Sequence, residues 1–144
     1  MKESLYETDF YGWTAQQAAL LRKQNLNEAD IKNIAEEIED MGKNVKRELE
    51  SRLKKLFIHL LKWQYQSGYR GNSWKYSIEE QRAELTDHIL DNPSLKHKLS
   101  ESMERAYRYA ITGAAKETGF SKSIFPNKCP WSFKQTMDDN FWPE

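Results

Sequence analysis

The sequence predicts an all-α protein, a single-domain bundle of five to six helices with an irregular, aromatic-rich C-terminal tail. Apolar residues recur at spacings of three and four along most of the chain, which is typical of one face of an amphipathic helix. No stretch alternates apolar and polar residues for long enough to indicate a strand. Short segments rich in Gly, Asn, Pro and Ser separate the periodic stretches and mark the loops between the predicted helices.

The first predicted helix lies in "TDFYGWTAQQAALLRKQ", where Thr8 or Asp9 is placed to cap its N-terminus. Asn27 is expected to cap the next helix. From residue 31 to residue 63 an apolar stripe predicts one long helix or two consecutive ones; its members are Ile31, Ile34, Ile38, Met41, Val45, Leu49, Leu53, Leu56, Leu60 and Trp63. Because a glycine costs about 1 kcal/mol inside a helix, we expect two helices that break near Gly42.

Two further helices follow the loop "QSGYRGNS". Ser73 is expected to cap the first of them, whose apolar face contains Trp74, Ile78, Leu85 and Ile89. In "DNPS", Asn92 is expected to cap the second, with Pro93 at its first position. Gly119 suits the left-handed residue that ends this helix.

The C-terminal segment, residues 120–144, is rich in proline and aromatic residues. Ser132 and Gln135 have the spacing of a capping box and predict one short helix. So many aromatic side chains are costly to expose to water. We therefore expect the tail to pack back on the bundle, within one domain that covers residues 1–144.

Composition limits the classes of function. The chain has 22 basic and 22 acidic side chains, so its net charge of zero gives no overall attraction to nucleic acid or to an anionic membrane. A single cysteine, Cys129, excludes an internal disulfide and a multi-cysteine metal site, and it fits the cytoplasm. No apolar run approaches the ~20 residues that span a bilayer. No cofactor is predicted, since "GYRGNS" lacks the lysine of a phosphate-binding loop. No metal is predicted, since the sequence contains no Glu-x-x-His pair of the kind that helical metal sites use.

Seven short motifs follow one another in an order that resembles a bacterial family, the Domain of Unknown Function 29. They are "YETDFYGWTAQQAALLR", "NIAEEIEDMG", "HLLKWQYQ", "SWKYSIEEQR", "ETGF", "FPNKCPW" and "FWPE", and the resemblance covers the chain from about Leu5 to Glu144. It implies a small, all-helical, cytoplasmic bacterial protein. It implies no assigned activity and no catalytic residues.

A candidate site is predicted from polar residues near apolar stripes. Gln81 falls inside the stripe of its helix and Arg82 on its flank, so both need hydrogen-bond partners if they are buried. We expect the partners in carboxylates and in the edge of the long helix. The predicted polar cluster contains Glu36, Glu37, His59, Lys62, Gln81 and Arg82. A role in fixing helix register is favoured over a role in lining a cleft.

Charge is segregated although the total is zero. Residues 28–40 carry six acids and one base, a charge of −5, and residues 43–62 carry seven bases and two acids, a charge of +5. The second stretch predicts a basic face for RNA, DNA or an acidic protein, formed by Lys46, Arg47, Lys54 and Lys55. Mutual neutralisation of the two stretches is the favoured alternative.

These observations predict a non-enzymatic module that binds a macromolecule. A protein partner is favoured over RNA or DNA, and a stress or toxin–antitoxin system is the expected setting. The alternative is a metal-independent ribonuclease or other hydrolase, with His59 as base and Lys62 or Arg82 stabilising charge on a phosphate. Cys129 is expected to be structural, because no histidine lies near it in the chain.

Overall fold

Six α-helices make up most of the protein in the computed structural model, which describes residues 4–144. They are α1 (Leu5–Thr8), α2 (Phe10–Arg22), α3 (Ile31–Tyr65), α4 (Asn72–Asp91), α5 (Leu99–Thr118) and α6 (Phe133–Met137). Short 3₁₀ helices occur at Ser67–Tyr69, Pro93–Lys98 and Lys122–Ile124. Because residues 4–144 contain no strand, the predicted all-α fold is confirmed.

Helix α3 is one unbroken helix, so the expected break near Gly42 is wrong. Gly42 is exposed and stays helical, and a methyl group added there meets no other atom within 4 Å. The cost of one glycine, about 1 kcal/mol, is small beside the packing of the seven buried residues that α3 contributes after residue 45.

Replacing Gly42 with alanine is expected to raise the free energy of unfolding by about 0.5–1 kcal/mol. The added methyl group meets no obstacle, and alanine loses less backbone entropy than glycine when α3 forms. Urea unfolding followed by circular dichroism measures the change. Gly119→Ala is the matched control and is expected to destabilise, because Gly119 has a φ of 78°. A loss of stability in Gly42→Ala would mean that the helix needs a deformation at this position.

Three of the predicted helix ends are confirmed. The Asp9 carboxylate accepts a hydrogen bond from the Gly12 backbone N at 3.0 Å, so Asp9 rather than Thr8 caps α2. Gly119 is left-handed and ends α5. Ser132 and Gln135 form the reciprocal capping box at the start of α6.

Three other predicted caps are wrong. Asp30, not Asn27, caps α3, since its Oδ1 accepts from the Asn33 backbone N at 3.4 Å. Ser73 lies inside α4, which begins one residue earlier with Gly71 as its N-cap. Asn92 precedes a 3₁₀ helix rather than α5, and its side chain donates to the His88 carbonyl oxygen at 3.0 Å instead of capping.

The chain divides into two compact units, a first unit that ends at Asn44 and a second unit from Val45 to Glu144. Helix α3 contributes to both. The single domain expected over residues 1–144 stays a prediction, because a compact unit and an independently folding domain are different things.

The second unit contains the hydrophobic core. Its buried side chains come from α3 after residue 45, from α4 and α5, and from the tail. Phe57 lies among them fully buried, with its ring centroid 5.7 Å from that of Tyr107 and 6.2 Å from that of Trp131. Phe125 and Trp131 are buried in the same cluster, so aromatic residues of the tail are part of this core.

The first unit has almost no core of its own. Within residues 4–44 only Trp13 and Gln17 are buried. The apolar stripe of α3 begins in this unit, and there it is open to solvent: 52% of Ile31, 62% of Ile38 and 66% of Met41 is exposed. The stripe is therefore covered after residue 45 and uncovered before it.

Candidate functional site

The predicted polar cluster does not form as a bonded network. Within residues 4–144 no hydrogen bond or ion pair joins two of its members. Glu36 and Glu37 belong to the first unit, and the other four members belong to the second. Glu37 accepts a hydrogen bond from the Tyr6 hydroxyl at 2.8 Å, which raises the pKa of Tyr6 to about 12. Glu36 is exposed.

Arg82 is buried, with 1% of its surface exposed, but its predicted carboxylate partner is wrong. Its Nε donates to the Thr136 carbonyl oxygen and its Nη2 to the Phe141 carbonyl oxygen, both at 2.8 Å. The guanidinium also lies 5.4 Å from the ring centroid of Trp142. Arg82 thus attaches α4 to the backbone of the tail, and burial lowers the pKa of its guanidinium.

The surroundings of Arg82 do not suit phosphate. Arg82 lines a cleft of about 600 Å³ together with three acidic residues, Glu79, Asp87 and Asp139. Three carboxylates beside one largely covered guanidinium repel an anion rather than attract it. Its Nη1 is buried without a hydrogen-bond partner among the described residues, so the hydrogen-bonding capacity of the guanidinium is only partly satisfied. The arrangement favours a structural role for Arg82.

The remaining members of the polar cluster have other neighbours. His59 Nδ1 donates to the Lys55 carbonyl oxygen one turn earlier in α3, at 2.9 Å. The Lys62 Nζ lies 3.5 Å from Glu117 and 4.7 Å from the ring centroid of Trp74. The Gln81 Oε1 is buried and accepts no hydrogen bond from the part of the chain that is described. Within residues 4–144, no hydrogen bond or ion pair joins His59 to another side chain.

The predicted basic face is partly neutralised. The Lys46 Nζ donates to Glu101 at 3.0 Å, and this hydrogen bond lowers the pKa of the Glu101 carboxyl. Arg47, Lys54 and Lys55 are exposed, and no ion pair in residues 4–144 includes Lys54 or Lys55. The neighbouring Arg52 pairs with Glu48 and Glu84. The acids that pair with Lys46, Arg52 and Lys62 all follow residue 45; they are Glu48, Glu84, Glu101 and Glu117.

Cys129 is half-buried, and its thiol donates to the Trp131 carbonyl oxygen at 3.4 Å. Burial raises the pKa of the thiol, which disfavours the nucleophilic thiolate. Cys129 lines a cleft of about 550 Å³ with Met103, Tyr107 and Trp131. In residues 4–144 no group of three or more His, Cys, Asp or Glu side chains is arranged to hold a metal ion.

Sequence reasoning missed the open apolar surface of the first unit. We call Ile31, Ile34, Ile38 and Met41 the exposed stripe; Ile34 is half-buried and the other three are exposed. Among the described residues, eight exposed large apolar side chains lie in the first unit and five in the second, although the first unit is less than a third of the chain. Exposed large apolar side chains are therefore more frequent in the first unit than in the second.

The exposed stripe is open because α1 and α2 contact a different face of α3. The Trp13 Nε1 donates to Asp30 Oδ2 at 3.2 Å, and the Asp30 backbone N donates to Gln17 Oε1 at 2.7 Å. The Tyr6 hydroxyl contacts Glu37 on the same side. Residues 30, 33 and 37 lie about 100° from residues 31, 34 and 38 around the helix. A polar side of α3 is thus covered and its apolar side is not.

A signal for this arrangement is present in the sequence. Asp30, Asn33 and Glu37 repeat at spacings of three and four, directly before three members of the exposed stripe. Because the neighbouring helices contact this polar stripe, most of Ile38 and Met41 beside it stays open to solvent.

The fold and this surface define the class: an all-helical protein with an aromatic-rich core unit and a small helical unit that exposes an apolar stripe. A family model described as "Domain of unknown function DUF29" matches residues 5–142. The chain belongs to this family, as its ordered motifs indicated. Neither a search of curated proteins nor one of solved structures finds a match. In residues 4–144 no helix has the length and hydropathy that crossing a bilayer requires.

Proposed function

We propose that this protein is a non-enzymatic, protein-binding module and that the exposed stripe on α3 is its binding surface. The observation that carries the proposal is the exposure of Ile38 and Met41, 62% and 66%, within a unit that buries only Trp13 and Gln17. Apolar residues at positions i, i+3, i+7 and i+10 of one helix are the anchors with which helices bind grooves or other helices. A partner that covers them removes apolar area from water.

The other candidate functions have less support. Binding of RNA or DNA needs unpaired basic side chains in a continuous patch, and Lys46 is already paired with Glu101. Hydrolysis with His59 as base needs a second group within reach. Arg82, the residue expected to hold a phosphate, donates to the tail carbonyls instead.

Photo-crosslinking in the native cell tests the proposal. A photoreactive phenylalanine replaces Ile38 in one variant, and in the control it replaces Leu90, which is 69% exposed on α4 of the second unit. We expect discrete protein adducts from position 38 and none of comparable yield from position 90. Equal adducts from both positions, adducts with nucleic acid alone, or no adduct at position 38 would contradict a protein-binding role for the exposed stripe.

A further inference from the structure

A cleft of about 550 Å³ opens on the second unit, and it shares no residue with the exposed stripe or with the predicted polar cluster. Its lining residues come from α5, from the loop that precedes α6, and from the first residue of α6. We call it the α5–α6 cleft. Clefts of about 300–1,000 Å³ are the size that small-molecule ligands occupy.

The floor of the α5–α6 cleft is apolar. Met103, Tyr107 and Trp131 line it, and all three are buried. The Tyr107 hydroxyl already donates to the Pro126 carbonyl oxygen at 2.7 Å. The Cys129 thiol donates to the Trp131 carbonyl oxygen at 3.4 Å. Because these two polar groups are bonded to the backbone, a ligand on this floor meets mainly hydrocarbon and ring surface.

Phe133 adds a third ring to the cleft, at the first position of α6. Its side chain is half-buried, and in the part of the chain that is described no aromatic ring pairs with it. The other two rings do have partners, since the centroids of Tyr107 and Trp131 are 6.5 Å apart and their planes are nearly perpendicular. Aromatic pairs attract each other beyond the burial of their area. A flat ring in the cleft therefore gives Phe133 the partner that it lacks.

The charged side chains of the cleft are two bases, Arg108 and Lys128, and one acid, Glu104. All three are exposed, and within residues 4–144 none takes part in an ion pair. The Arg108 guanidinium lies over the ring of Tyr109, which is not part of the cleft. Lys128 and the neighbouring Asn127 are therefore the groups best placed to donate to an anion.

The cleft beside Arg82 has the opposite charge. Glu79, Asp87 and Asp139 line it, and two nitrogens of the Arg82 guanidinium donate to the tail. Carboxylates of the protein repel an anionic ligand there. The sign of the charge therefore distinguishes the two clefts and directs an anion to the α5–α6 cleft.

We propose that the α5–α6 cleft binds a small aromatic anion, a molecule with one or two flat rings and a carboxylate. The rings pack on Met103, Trp131 and Phe133, and the carboxylate accepts hydrogen bonds from the Lys128 ammonium and the Asn127 amide. Glu104 at the rim opposes the carboxylate and limits the affinity. This site is independent of the proposed function, because all its lining residues belong to the second unit.

The experiment is a titration of the full chain with three probes, followed by the backbone amide signals in NMR. The probes are 2-naphthoate, 2-naphthylmethylammonium, which has the same rings and the opposite charge, and octanoate, which has the same charge and no ring. We expect 2-naphthoate to bind at least about tenfold more tightly than either of the others. Its shifts are expected to concentrate at residues 100–108 and 127–133. Equal affinities, or 2-naphthoate shifts centred elsewhere, would overturn the proposal.

Two neutral substitutions test the charges at the rim. Lys128→Gln is expected to weaken binding of 2-naphthoate about fivefold, and Glu104→Gln is expected to strengthen it about twofold. The matched controls, Lys75→Gln and Glu80→Gln, make the same charge changes at exposed positions of α4 and are expected to leave the affinity unchanged. Circular dichroism checks that each variant is folded. Equal effects of Lys128→Gln and Lys75→Gln would mean that only total charge matters and would contradict a local site.

Two further variants test where the rings bind. Phe133→Leu keeps an apolar side chain but removes the ring, so it is expected to reduce the preference for 2-naphthoate over octanoate about fivefold. Tyr76→Leu, at an exposed position of α4, is the control and is expected to keep that preference. Ile38→Ser is expected to leave the affinity for 2-naphthoate unchanged. An unchanged preference in Phe133→Leu, or loss of binding in Ile38→Ser, would place the ligand outside the α5–α6 cleft and overturn the proposal.

Discussion

Replacing Arg82 with methionine is expected to lower the free energy of unfolding by about 3 kcal/mol. Methionine fills much of the same volume but donates no hydrogen bond. The carbonyl oxygens of Thr136 and Phe141 then lose the guanidinium that reaches both of them. Buried acceptors without a donor cost about 1–3 kcal/mol each, and relief from burying the Arg82 charge offsets part of that cost.

Urea unfolding followed by circular dichroism measures the effect of Arg82→Met. Arg108→Met is the matched control, because Arg108 is exposed and its guanidinium lies over the ring of Tyr109, 5.7 Å from the ring centroid. The control is expected to change stability by less than about 0.5 kcal/mol. Arg82→Lys, which keeps the charge but not the planar fork, is expected to fall between the two. Equal stability of Arg82→Met and Arg108→Met would show that the tail does not depend on Arg82.

Replacing Phe57 with alanine is expected to destabilise the second unit by about 3–5 kcal/mol. Phe57 is completely buried and lies beside Tyr107 and Trp131, so its removal leaves a cavity between α3, α5 and the tail. The neighbouring rings are large and cannot all move inward to fill it.

The same unfolding measurement, with tryptophan fluorescence as a second signal, tests Phe57→Ala. Trp131 lies against the new cavity, so its emission is expected to shift to longer wavelength if water enters. Leu90→Ala removes apolar volume from a side chain that is 69% exposed and is expected to cost less than about 0.5 kcal/mol. A cost below about 1 kcal/mol in Phe57→Ala would contradict a core organised around this ring.

Features with local causes were predictable from the sequence. Asp9, Gly119 and Ser132 act within a few residues of themselves, so the pattern of their neighbours is enough to predict their roles. The helical period of the stripe on α3 was also predictable, because it depends on spacing alone. The continuity of α3 through Gly42 was not predictable. The cost of one glycine is outweighed by packing that lies elsewhere in the helix, which the local sequence does not reveal.

Features that depend on distant parts of the chain were not predictable. Ile38 and Leu53 belong to the same stripe, yet 62% of Ile38 is exposed and none of Leu53 is. The spacing shows which face of α3 is apolar, but it does not determine which other parts of the chain pack on that face. The need of Arg82 for hydrogen-bond partners was predictable. The identity of the partners was not, because they are backbone carbonyl groups and every residue has one.

The attachment of Arg82 to the tail has a consequence for the order of events during synthesis. Its two acceptors lie 54 and 59 residues further along the chain. While the ribosome translates these acceptors, Arg82 has already been synthesised but cannot yet form either hydrogen bond. The second unit can therefore complete its folding only after Phe141 has left the ribosome, even though domains commonly fold from the N-terminus as they are made. Until then its core lacks the contacts that Phe141 and Trp142 make with it.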